Sequence, residues 1–259
     1  MFDNKHTYLS VGIVKYYAQL KALQPAEQTI LDLFKDRWSS IKMLDIGVGG
    51  GRTTLHFSQA TADYTGIDYS AAMIAACKTR FSASPQASFE IADARDMSQF
   101  EDDSFDFILF SFNGIDYISH ADRLKVFQEI SRVGKSGGHF CFSSHNLQAF
   151  EREFNFRRQL RFNPLKTYTN LVMFVLLRTF NPSLMLQKLK TAAHAIVKDE
   201  SHNFRLNTYY VRHQEQLDQL EPNFSDVKSY SWSSGLELTH EQASNTTSDL
   251  WLYYLCTIN

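Results

Sequence analysis

The sequence predicts an α/β fold, a doubly wound and mostly parallel sheet with a helical insert acting as a lid. Three observations predict it. Between residues 41 and 145, short apolar runs alternate five times with helical stretches, the pattern of parallel strands joined by crossover helices. The first apolar run passes directly into Gly47-Val-Gly-Gly-Gly51, a strand-to-helix turn where glycine supplies φ > 0 and close ligand approach. The chain's 259 residues, 44% of them apolar, suit one such domain with an elaboration.

Residues 8–38 read as helical, with Pro25 in a first turn, Glu27 placed for the helix dipole, and Ile30, Leu31, Phe34 and Trp38 at helical spacing. Residues 41–46 form the first strand and 52–60 the helix after the glycine turn. A second strand is expected over 64–68, then a helix over 71–81 capped by Ser70 and rich in alanine. Strands follow at 87–91 and 105–110. A helix over 121–133 ends at Gly134, and Gly137-Gly138 opens a fifth strand at 139–143. Past His145 the rhythm breaks. Residues 147–205 read as one or two long helices interrupted at Asn181-Pro182, followed by a helix over 209–220 and strands at 227–232 and 250–258. Three segments are therefore expected: 1–146 as core with N-terminal helices, 147–205 as helical cap, and 206–259 completing the sheet.

A formal net charge of −2 gives no polybasic field for nucleic acid. Cys77, Cys141 and Cys256 are scattered and odd in number, with no metal-ligand spacing, which suits a reducing, cytoplasmic setting. The histidines form no HxxxH or HExxH pair, so no metal site is expected. The start lacks a signal-peptide core, and the apolar run Leu171 to Leu177 is far short of the roughly 20 residues that span a bilayer. A soluble chain is expected.

Carboxylates mark the strand ends. Asp45 precedes the glycine turn, Asp68 ends the second strand and Asp93 follows the third. Ligands in open α/β sheets bind at the carboxyl ends of strands, so the three acids converge on one crevice. A dinucleotide turn reads G-x-G-x-x-G and seats pyrophosphate on a helix N-terminus. Here the third glycine comes one residue early and Asp45 lies beside the turn, which favours a cationic ligand without phosphate over a nicotinamide dinucleotide. Asp68 can accept both ribose hydroxyls, and Asp93 the exocyclic amine of adenine.

These segments, LDIGVGGGRTT (44–54), TGIDYS (65–70), IADARDM (91–97), FDFILFSFNGIDYI (105–118) and EISRVGKSGGHFCFSS (129–144), resemble the class I (Rossmann-like) S-adenosylmethionine-dependent methyltransferases. The resemblance implies a seven-stranded sheet whose last strand is antiparallel. It implies S-adenosylmethionine as cofactor and S-adenosylhomocysteine as product. The cofactor-binding set it implies is Tyr17, Asp45, Gly47, Gly49, Gly51, Arg52, Asp68, Tyr69, Asp93, Ala94, Arg95, Ser111, Phe112 and Asn113. The four residues Asp45, Gly47, Gly49 and Gly51 would surround the methionine part, with Asp68 on ribose and Asp93 and Ala94 at adenine.

Methyl transfer from a sulfonium needs orientation above all, and a base only where the acceptor atom holds a proton at neutral pH. His145, at the end of the fifth strand, is the candidate base. Asn113 and Tyr209 are further catalytic candidates, and Asp116 serves either the site or the next helix. The cations between residues 151 and 190 admit three readings: a solvated basic face, a seat for an acidic acceptor, or a less favoured contact with an anionic membrane. The expectation is O- or N-methylation of a small molecule in the biosynthesis of a specialised metabolite. The alternatives are a lipid-linked, sugar-linked or macromolecular acceptor, and a non-catalytic protein that binds the cofactor.

Overall fold

The computed structural model describes residues 19–160 and 162–259. The alternating half holds the expected elements, most within two residues. They are α1 (Pro25–Leu33), β1 (Lys42–Ile46), α2 (Thr54–Ala60), β2 (Asp63–Asp68), α3 (Ala71–Arg80), β3 (Ala87–Ile91), β4 (Phe105–Phe110), α4 (His120–Val133) and β5 (Gly134–Asn146). However, β5 starts five residues before and ends three after the expected 139–143, and α1 ends at Leu33 where the helical reading ran to 38. The Ser70 hydroxyl accepts from the Met73 N–H and caps α3. Residues 8–18 of the expected N-terminal helical stretch lie outside the described residues.

The sheet runs β3-β2-β1-β4-β5-β10-β8-β9, where β8 is Phe224–Ser231, β9 is Glu237–Leu238 and β10 is Trp251–Ile258. Strands β1 to β5 are parallel, and β10 is antiparallel to both β5 and β8. The seven strands β1–β5, β8 and β10 thus make the expected mixed sheet. Successive strand residues point to opposite faces, so each strand feeds two cores. Leu44, Ile108, Phe140 and Phe142 pack with Phe127 and Ile130 of α4 on one face. Met43, Phe107, Leu109 and Cys141 pack with Ile30, Trp38, Phe57 and Ile74 on the other. Burial on both sides is why β4 reads as the near-continuous apolar run FDFILF.

The second half departs from expectation. The 147–205 segment folds as α5 (Leu147–Glu153), α6 (Pro164–Phe180), α7 (Leu186–Thr191) and a strand, β6 (His194–Val197). Asn181 does end α6, as expected. The expected helix over 209–220 begins instead as β7 (Thr208–Val211), and only His213–Leu220 is helical, as α8. Thr-Tyr-Tyr-Val is a β-branched and aromatic run that suits a strand. It finds two partners: the preceding strand β6, antiparallel, and, far away in sequence, the end of β5, parallel. The β6–β7 hairpin therefore crosses the expected boundary at 205. Leu147, Phe150, Phe154, Leu177 and Val197 form a third, separate core with Tyr210 of β7. No described helix is long and apolar enough to cross a membrane.

Candidate active site

A cavity of about 480 Å³ opens at the carboxyl ends of β1, β2, β3 and β4. Of the expected cofactor set, Asp45, Gly47, Gly49, Arg52, Asp68, Tyr69, Asp93, Ala94, Arg95, Ser111 and Phe112 line it. Tyr17 lies outside the described residues. Gly51 and Asn113 sit behind the wall. Gly51 has φ +77°, and a Cβ there would stand 2.3 Å from Cε2 of Phe81. It serves the packing of the turn on α3, not the cavity lining expected of it.

Both oxygens of Asp68 are held in place. Oδ2 accepts from the Gly49 N–H (3.0 Å) and Oδ1 from the Ser70 N–H (2.8 Å). Burial raises its carboxyl above the ordinary value against those two bonds. Asp45 is more enclosed. Its Oδ2 accepts from the Thr53 hydroxyl and the Tyr64 hydroxyl, each at 2.5 Å. Burial pushes its carboxyl up to about 6, with the Thr53 and Tyr64 bonds and the Arg52 charge opposing. Asp93 is paired with Arg95, whose Nη2 and Nε donate to its two oxygens at 2.6 and 2.9 Å.

Sequence reasoning missed the cluster that holds Arg52. Glu27, expected only to complement a helix dipole, is buried and accepts both Arg52 amino groups. It also accepts the Ser111 hydroxyl, the Tyr253 hydroxyl (2.9 Å) and the Gln24 N–H (2.7 Å). Burial would raise Glu27, but the Arg52 bonds and charge outweigh it and hold the carboxyl below its usual range. The guanidinium also lies 5.0 Å from the centre of the Phe112 ring. Only the fold brings residues 27, 52, 111 and 253 together, so no local motif signals them.

Phe112 and Asn113 both adopt left-handed backbone, φ +58° and +60°. Consecutive strained non-glycine residues at a cavity wall are typical of functional turns. Beyond them lies His145. Its Nδ1 is 2.7 Å from Asp116 Oδ2, and its Nε2 is 3.4 Å from the Asn113 amide nitrogen. The fully buried Asp116 also accepts from the His145 N–H, the Ser144 hydroxyl and Arg123 of α4. Asp116 thus bonds both the candidate base and Arg123 of the next helix. Tyr209 does not reach the cavity. It is fully buried, its hydroxyl bonds His120 Nδ1 (2.7 Å) and Gln219 Nε2 (3.0 Å), and its ring lies 4.3 Å from the Arg123 guanidinium. The turn into β7 points it into the interior, which corrects its expected place across the pocket.

His120, His194 and Glu215 bring ligand-type atoms within 4.8 Å of one another, from α4, β6 and α8. The two imidazoles are stacked with planes 5° apart and centroids 4.6 Å apart. Their in-plane lone pairs then run in parallel planes and do not converge on one ion.

Residues 43–138 match the family described as methyltransferase domain. A Bacillus subtilis (strain 168) protein bearing the name methyltransferase YqeM is 24% identical over 136 residues, 52% of this chain. The chain spans about half of that curated relative's length, 55%. The PH0226 protein from Pyrococcus horikoshii OT3 superposes with a TM-score of 0.58 at 17% identity, covering 95% of this chain and 99% of that one. The N-methyltransferase NodS from Bradyrhizobium japonicum WM9, solved with S-adenosylhomocysteine, gives 0.53 at 12% identity, covering 95% and 96%. These two likenesses speak to the fold.

The strand order, the site and the methyltransferase-domain match over residues 43–138 fit the class I, Rossmann-like S-adenosylmethionine-dependent methyltransferases. S-adenosylmethionine is the cofactor of that class, and the cavity suits it. Pockets for molecules of this kind run about 300–1,000 Å³. Each Asp68 oxygen has lone-pair capacity beyond its one backbone bond to accept a ribose hydroxyl. Gly49 has φ +54°, and a Cβ there would meet nothing nearer than 3.9 Å, so the turn leaves room beside it.

Proposed function

We propose that this chain transfers a methyl group from S-adenosylmethionine to an oxygen or nitrogen of a small acceptor, in the biosynthesis of a specialised metabolite. The observation that carries this reading is the single cavity wall on which Asp45, Asp68, Asp93 and the glycine turn meet. Asp68 would hold ribose, Asp93 and Ala94 would border adenine, and Asp45 would face the cationic amino end. Bound there, the cofactor supplies an activated methyl on a sulfonium, and the protein's part is alignment.

For a hydroxyl acceptor we assign the base to His145. The Asp116 carboxylate favours the tautomer with hydrogen on Nδ1, which makes Nε2 the accepting nitrogen, 3.4 Å from the Asn113 amide, and the one that would take the proton. Asn113 lies between that nitrogen and the cavity wall. Its buried Oδ1 has no hydrogen-bond partner among the described residues, and it would meet an acceptor N–H or O–H only if the acceptor reached behind the wall. Tyr209 is left out of this assignment because its hydroxyl is already committed.

Calorimetry with S-adenosylhomocysteine should show binding where NAD shows none. Asp68→Ala should weaken that binding by about 1–3 kcal/mol through lost charged hydrogen bonds. On a hydroxyl acceptor found with methyl-labelled cofactor, His145→Ala should slow single turnover by about 10²-fold or more with cofactor affinity intact. Label appearing only in macromolecules would defeat the small-acceptor reading. Equal rates for wild type and His145→Ala would remove the base.

A further inference from the structure

Helix α6 inverts the usual amphipathic arrangement. Its 17 residues bury one side chain, Leu177, which packs into the cap's own core. Leu165 is 74% exposed, Tyr168 67% and Val175 60%, and Val172, Leu176 and Phe180 are exposed as well. At 100° per residue these six fall on one outward stripe about 140° wide. Lys166 and Arg178 lie beyond its opposite edges on the same helical wheel. A core helix shows its polar face to water, and an outward apolar stripe marks something that covers it.

Charge identifies the cover. Residues 154–198 hold eight Lys and Arg and no Asp or Glu. That +8 leaves −10 for the rest of a chain whose formal total is −2. Among the described residues, the ion pairs include none of Lys166, Arg178, Lys188 and Lys190. The occupant must be apolar at its centre and anionic at its rim. A second copy docked through the same face would set one cationic segment against another, because a two-fold contact pairs a patch with itself. An anionic bilayer meets both demands, with acyl chains for the stripe and headgroups for the flanking cations. The helix is about 25 Å long, not long and apolar enough to cross, so it would lie in the plane of the interface.

The geometry points to α6 and its basic flanks as a seat on an anionic lipid surface. The inference is independent of which atom is methylated. It is tested by floating the full chain with vesicles of phosphatidylcholine alone or mixed with phosphatidylglycerol. The chain should float with the mixed vesicles only, and rising salt should release it. Val172→Glu with Leu176→Glu should lower the bound fraction at least tenfold. Lys166→Ala and Lys188→Ala should each weaken partition about fivefold. All of these positions face solvent, so melting temperature and S-adenosylhomocysteine binding should match wild type and report that the variants are folded. Absence of flotation with either vesicle overturns the proposal, as does equal flotation with both. A wild-type dimer split by the Val172 and Leu176 substitutions, without vesicle binding, would assign the stripe to a second copy instead.

Discussion

At the scale of single residues, Asp45 makes the sharpest pH prediction. Folding raises its carboxyl to about 6 from about 3.9 in an unfolded chain, so the cofactor-free fold prefers it protonated. Its contribution to stability, about 1–3 kcal/mol, is complete below about pH 4 and is lost as pH rises through about 6. A cationic amino group beside Asp45 prefers it ionised. Affinity for S-adenosylhomocysteine should therefore rise about tenfold from pH 5 to pH 7, and Asp45→Asn should flatten that rise. Calorimetry across the range checks both, and a flat wild-type profile would detach Asp45 from the ligand. Asp45 and Asp68 were legible in the sequence because Asp45 sits two residues before the glycine turn and Asp68 closes an apolar strand run. Glu27 was not, because its partners Arg52, Ser111 and Tyr253 come from other elements.

At the scale of elements, the glycine turn divides into two duties. Gly51 packs against α3, whereas Gly49 borders open cavity. Gly51→Ala adds a left-handed penalty and a clash with Phe81, and should cost about 2–4 kcal/mol in urea unfolding. Its effect on cofactor affinity, measured on the folded fraction, should be small. Gly49→Ala carries the backbone penalty alone, about 1–2 kcal/mol, and should weaken binding more than Gly51→Ala does. A reversed order would reassign the two glycines. The turn and the alternating elements were legible because their signals are local: apolar runs, caps and breakers. The β6–β7 hairpin was not. There β7 pairs with the preceding β6 and, far away in sequence, with the end of β5, and pairing overrode a pattern that read as helix.

At the scale of the molecule, Arg123 joins the sheet to the later elements. Its guanidinium donates to Asp116, to the Ile115 carbonyl, to Ser144 of β5 and to Gln216 of α8, and it lies beneath Tyr209 of β7. Both members of the Arg123–Asp116 pair are fully buried. Removing one partner of such a pair leaves the other charge uncompensated, so Arg123→Ala should destabilise the fold by about 3–5 kcal/mol. Chemical denaturation checks this, and a loss below about 1 kcal/mol would show that the pair is replaceable. Arg123 reads in the sequence as one more charge on a surface helix, and nothing local marks it as the most enclosed cation among the described residues.

By itself the sequence determined the doubly wound sheet and the crevice at its strand ends with the acids that line it, because strand ends, glycine turns and carboxylates declare themselves within a few residues. The tertiary structure alone decided that Asp116 holds His145, that Tyr209 faces inward and that α6 turns its apolar stripe to the outside. Those outcomes depend on which distant segments meet, and on how much apolar surface the finished cap leaves uncovered.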